Sequence, residues 1–429
     1  MFGNLLNPAP HTEVEGALLV AYVLLDVFLI VALARILGSL MTRIGQPRVV
    51  GEILAGLLLG PTLLGADLSA WIAPLEARPT LTAIATIALV LFMFLAGVEY
   101  DLSGISGKAG QATMLAGLSV AVPAVAGFGV AAIAWNSTYA GPGASSFLSF
   151  ALFMGAALSV TAFPVMAHIL MERGELNSRL GSLGVAVAGI MSVLMFTYIG
   201  FASAVASSSG FSSLAVKIGL IVVFGVGSAV IVRPLLARML AGNEPLTGNQ
   251  MAVIFAGLVL YGLIADRIGV NALVGGFVWG IILPADRALR EEVASKLRDI
   301  AMVLFLPVFF AISGFATDLK LMTLGTLPVL FAFLVAAIAS KFIGAAPARR
   351  FGLSWRETGY LGALVNSRGL LVLVVGLIGL QLEIITVSMF TIFVVMALVT
   401  NLMTLPLLNA FSPHRPARKE TLVRASASS

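Results

Sequence analysis

Long apolar runs, bounded by short polar or glycine- and proline-containing stretches, recur along the chain. A helix that crosses a bilayer needs about 20 mostly apolar residues. By that measure the pattern predicts thirteen spans, at 17–40, 49–65, 80–98, 111–135, 145–171, 180–206, 213–237, 249–265, 268–284, 300–315, 322–346, 357–380 and 384–409. Between the ninth and tenth, residues 285–298 mix Arg, Glu and Lys with apolar positions, which predicts an amphipathic helix along the membrane interface. The fifth span is interrupted by Ser159-Val160-Thr161-Ala162-Phe163-Pro164. Non-helical backbone at membrane depth is tolerated only where protein or a water-filled cavity surrounds it, and transporters build binding sites from such broken helices. The sixth span packs small residues from Leu180 to Val193 and carries no acid.

The two halves echo one another. Ala55-Gly56 to Gly60 in the second span resembles Gly275-Gly276 to Gly280 in the ninth, each a small-residue face for close helix contact. Gly155-Ala156 and Ser159 in the fifth resemble Gly362-Ala363 and Asn366 in the twelfth. Spans one to six and eight to thirteen then form six-helix repeats seven spans apart; an odd offset inverts them, and the seventh, 213–237, becomes a linker.

Composition agrees with the pattern. Of 429 residues 59% are hydrophobic and only 10% charged, with a mean hydropathy of +1.06, against about 25% charged residues in soluble domains. The expected fold is an all-α membrane protein. The net charge of +5 is no sign of a nucleic-acid partner, because the basic residues sit in loops. With loops placed on alternate sides, eighteen of 25 Lys and Arg fall on one side and three (Arg78, Arg267, Lys320) on the other, while Arg35, Lys217, Lys341 and Arg368 lie within spans. The positive-inside rule then puts the N-terminus outside and the C-terminus in the cytoplasm, with residues 411–429 a short basic tail. There is no cysteine, so disulfides and thiolate metal sites are excluded. His11, His168 and His414 are too scattered for a metal cluster. No cleavable signal peptide is read at the start. No phosphate-binding loop occurs either, so transport would be driven by gradients, with no cofactor.

Several motifs together resemble the cation:proton antiporter-2 family, which contains sodium/proton and potassium/proton exchangers. They are Gly45-Gln46-Pro47 with Val50-Gly51-Glu52, Leu95-Ala96-Gly97-Val98-Glu99, Ser159 to Val165, Leu304 to Phe310, Lys341-Phe342-Ile343-Gly344 and Asn366-Ser367-Arg368-Gly369. The resemblance covers roughly residues 20–410. It implies two unwound helices crossing at Ser159–Pro164 and Asn366–Gly369, and a mobile core of 111–206 and 322–409. It also implies a dimerisation part of 17–98 and 249–315, a homodimer in the plasma (inner) membrane, and exchange of a monovalent cation for protons. The family's sixth helix carries an acidic pair where this chain reads Met191 and Ser192.

A buried carboxylate is the natural reversible binder of both cations and protons, so its loss changes the expected chemistry. The remaining candidates for ion or substrate binding are Ser159, Thr161, Met191, Ser192, Lys341, Asn366 and Arg368. Lys341, Asp26 and His168 are candidates for proton coupling. Lys341 either sits buried, where it could carry a proton, or snorkels toward the polar surface. Arg368 cannot lose its proton and is expected to neutralise half-helix C-terminal dipoles. Three readings stay open: a divergent cation/proton antiporter, the same scaffold carrying an organic anion on Lys341, Arg368 and the hydroxyls, or a membrane-embedded binding protein or enzyme.

Overall fold

The computed structural model describes residues 16–44, 48–60, 77–99, 109–162, 178–208, 210–240 and 245–412, with Gln46, Gly65, Met166, residues 169–171, Arg173 and Glu175. Among these residues the chain is helical, apart from turns and one isolated bridge between Ala140 and Ile385. Among the described residues nine helices are long and apolar enough to cross a membrane, and four shorter apolar ones lie in the second, fifth, ninth and twelfth predicted spans.

In chain order the helices are α1 Gly16–Arg43, α2 Arg48–Leu59, α3 Arg78–Val98, α4 Ala109–Ala134, α5 Phe147–Ser159, α6 Arg179–Ala206, α7 Phe211–Gly227, α8 Arg233–Met239, α9 Gly248–Arg267, α10 Ala272–Ile282, α11 Arg287–Ile300, α12 Leu306–Phe315, α13 Leu327–Ala345, α14 Trp355–Val365, α15 Leu370–Gln381 and α16 Val387–Phe411. Polar residues cap several helix starts. Ser146 caps α5, Ser178 caps α6, and Ser354 with Glu357 makes a capping box on α14. The amphipathic stretch is α11, capped by Asp286 and clamped by Arg290, which donates to the Val98, Ile281, Leu283 and Pro284 carbonyls.

The fifth span breaks where its sequence is interrupted: its first helix stops at Ser159, and Val160 is extended. In addition, π turns at Ser228–Val232 and Ala301–Phe305 join α7 to α8 and α11 to α12. Each leads directly into Arg233-Pro234 or Leu306-Pro307. A proline has no N–H to donate, and one extra residue per turn lets the helix pass it.

The helices pack in two groups. In the first, α1 lies on α2, α2 and α3 on α12, and α3 and α9 on α10; in the second, α4 lies on α5, α6 and α13, while α14 and α15 lie on α16. The small-residue faces are used as expected. A Cβ on Gly56 would lie 2.2 Å from the Phe310 carbonyl oxygen, and one on Gly280 2.2 Å from that of Phe94. Only glycine permits those approaches. A seam of buried apolar side chains, including Leu89, Phe277, Phe309 and Val374, joins the groups. Within the second group, the segments flanking the broken helices are pinned at both ends. On one side Gly141 and Gly143 donate to the Ile384 and Glu383 carbonyls; on the other Tyr360 donates to Glu175 and Arg173 to Asn409.

Candidate functional site

The site is built where two helices fail to continue. α5 has 13 residues, half the 26 of its neighbour α4, and gives way to extended backbone at Val160. α14 ends at Val365, and α15 begins only at Leu370, after Gly369 at φ −98°, ψ −135°. No proline marks this second break, while Pro123 and Pro406 lie inside unbroken helices. The breaks are tied together: the Ala162 N–H donates to the Ser367 carbonyl at 2.8 Å, and the Thr161 hydroxyl to the Val365 carbonyl at 2.7 Å.

Two buried cations close the end of α5. Arg368 Nη1 donates to the carbonyls of Ala157 (3.0 Å) and Leu158 (2.5 Å), and Nη2 to that of Ala337 (2.6 Å). The last carbonyls of a helix have no partner within it and carry its negative dipole end, so the guanidinium satisfies both needs, as expected for a dipole-neutralising arginine. Lys341, near the C-terminal end of α13, is 0% exposed. Its Nζ donates to the Ser119 carbonyl (3.2 Å), the Ser159 carbonyl (2.5 Å) and Thr161 Oγ1 (2.9 Å). An ammonium has three donors, and here all three are engaged. The snorkelling alternative is thereby overturned: three inward acceptors hold the amine at the crossing.

The hydroxyls are arranged the same way. Ser159 donates to the Val120 carbonyl (2.9 Å), Ser192 to that of Ala188 (3.0 Å) and Ser367 to that of Leu364 (3.0 Å). With their protons directed to backbone, these oxygens have only lone pairs left to offer. Met191 is buried in an apolar cluster with Val187, Leu361 and Leu364. Asn366 is fully buried, and neither its amide oxygen nor its nitrogen has a partner.

Not every candidate converges here. Asp26 is buried on α1, which packs against α2 and α12. Neither of its oxygens is hydrogen-bonded, and the fold does not bring it to the crossing. Glu52 pairs with Arg48 at 3.5 Å and Glu99 with Arg298 at 2.7 Å. Among the described residues no ion pair includes Lys341 or Arg368. His168 lies outside the described residues. Sequence reasoning missed α4, whose Ser119 and Val120 carbonyls line the site, and Asn401 on α16, a second buried amide without partners. Asn401 was readable as an amide in the middle of a largely apolar span; nothing in the sequence marks backbone carbonyls. A cavity of about 90 Å³ opens between the two packing groups, lined by Thr82, Thr86, Asp266, Phe309, Val374 and Gln381 among others.

Broken helices that meet around fixed buried charges, inside a bundle of apolar helices, define a multi-pass membrane transporter. The sequence matches the family described as sodium/hydrogen exchanger, transmembrane, over residues 28–410, and the chain belongs to that family. It is 35% identical over 399 residues to the Na(+)/H(+) antiporter NhaS4 of Synechocystis sp., covering 91% of this chain and 97% of the relative. It is 33% identical to cation/H(+) antiporter 20 of Arabidopsis thaliana over 91% of this chain, and spans 48% of that longer protein. The solved structure of the sodium proton antiporter MjNhaP1 from Methanocaldococcus jannaschii superposes with a TM-score of 0.64, covering 91% of this chain and 97% of that one, at 16% identity. That likeness is one of fold.

Proposed function

We propose that this protein exchanges a monovalent cation, Na+ or K+, for protons, and that Lys341 carries the proton. As an ammonium Lys341 engages three acceptor oxygens; as a neutral amine it has two donors, and one acceptor is released. A cation needs lone pairs of that kind. Proton and cation then compete for one pocket, and one positive charge replaces another, so no acidic pair is required. The observation that carries this reading is the engagement of the donors. An organic anion would need several free donors, yet the three of Lys341 and those of Ser159, Thr161, Ser192 and Ser367 are directed to oxygen atoms, which leaves only isolated donors such as Arg368 Nε and the Asn366 amide nitrogen without a partner among these residues.

The packing division supports a core of α4–α6 and α13–α16 moving against α1–α3 and α9–α12, with α7 and α8 as linker. In this reading α1–α3 and α9–α12 hold a homodimer together in the plasma membrane, the N-terminus lies outside, and the six-helix repeats are inverted copies. Purified protein in liposomes with an internal pH dye tests the exchange. Adding Na+ or K+ outside should move protons, and the apparent KM for the cation should rise about tenfold per pH unit in the acid range, as competition by one proton requires. Silence toward both cations would remove the reading.

A further inference from the structure

Two buried carboxamides stand outside the network of the crossing. Asn366, just after α14, and Asn401, on α16, are at most 1% exposed, and neither amide has a partner for its oxygen or its nitrogen. A buried polar group without a partner costs roughly 1–3 kcal/mol, so two of them call for a ligand that uses them.

Helix geometry puts them at similar depth on adjoining helices. α14 packs against α16, with Gly359 against the Phe411 ring, and the connection through α15 makes the two helices antiparallel. At about 1.5 Å per residue, the seven residues from Gly359 to Asn366 rise about 10 Å. The same rise back along α16 from Phe411 reaches Thr404, within one turn of Asn401. The neighbouring hydroxyls leave the amides unsatisfied, because Thr400 donates to the Met396 carbonyl and Thr404 to that of Thr400.

Charge favours the same place. Lys341 and Arg368 both sit on carbonyls at the end of α5. Among the described residues the end of α14 is closed by the hydroxyls of Thr161 and Ser367 and by backbone N–H groups. A helix C-terminus carries about half a negative charge, and among the described residues no cation donates to it directly, Lys341 reaching it only through the Thr161 hydroxyl.

We propose that the amide oxygens of Asn366 and Asn401, beside the C-terminal end of α14, bind the monovalent cation during exchange. This rests on the antiport reading above. Alkali cations are hard and take oxygen ligands, and neutral oxygens hold them weakly enough for release.

The test uses the full chain, with melting temperature read in choline, Na+ and K+ buffers and exchange read in liposomes. Asn401→Leu is expected to lose the cation-dependent rise in melting temperature and to raise the apparent KM at least tenfold. In choline its melting temperature should equal or exceed that of the wild type, because leucine removes an unbonded amide and strands no partner. Should the leucine variant not fold, Asn401→Asp keeps the oxygen ligand and adds charge, and is expected to lower KM about tenfold. An Asn401→Leu protein with wild-type KM and cation response, or an Asn401→Asp protein with unchanged KM, overturns the amide site and leaves antiport standing. A wild type that moves no protons with either cation ends both.

Discussion

At the crossing, α5 ends against two buried cations, whereas α14, packed in the same group and broken at the same depth, ends among the described residues against hydroxyls and backbone N–H groups. The difference separates structure from chemistry. Arg368 cannot release its proton, so part of the compensation of α5 is permanent. In the proposed exchange Lys341 releases one, so the other part is exchangeable. Among the described residues no cation donates directly to the end of α14, and the unpartnered Asn366 lies beside it. In that proposal one end is held closed by the protein, and the other is open to a charge that comes and goes.

The strongest way to break that contrast is to remove the permanent cation. Arg368→Leu leaves the Ala157, Leu158 and Ala337 carbonyls buried without their donors, at an expected cost of about 3–5 kcal/mol. Thermal melting of the detergent-purified protein should show an early transition or no folded species. An unchanged melting curve would mean that the end of α5 is satisfied by other means.

Next in size is the exchangeable cation. Lys341→Arg keeps a charge on the carbonyls of α5 but cannot deprotonate. The protein should remain folded while dye-reported exchange falls about a hundredfold, a barrier change of about 2.7 kcal/mol. Retained exchange would take the proton away from Lys341. The smallest effect concerns the tie between the two ends. Thr161→Val removes a hydroxyl that accepts from Lys341 and donates to the Val365 carbonyl, and should lower stability by about 1–2 kcal/mol, with exchange reduced but present. Complete loss of exchange in a stable Thr161→Val protein would move the hydroxyl from a tie to an essential ligand.

Much of the site was legible before the fold was. Ser159, Thr161 and Lys341 stood out as polar groups in apolar spans, and they do converge. Asp26 stood out for the same reason and does not, because its helix packs with α2 and α12. Asn401 satisfied the same criterion and was overlooked among the apolar residues of its span. Burial without a partner is a property of surroundings, so no count of residue types reveals it.

By itself the sequence determined that the chain is a helical membrane bundle, where its apolar spans lie, and that the fifth is broken, because hydrophobic length and local interruption are properties of contiguous residues. The tertiary structure alone decided which groups meet. Lys341 reaches acceptors 222 and 182 residues away in the chain, and Arg368 closes the end of a helix 210 residues before it. Those partners are backbone carbonyls, which every residue possesses, so only the packing of helices determines which of them face a buried charge.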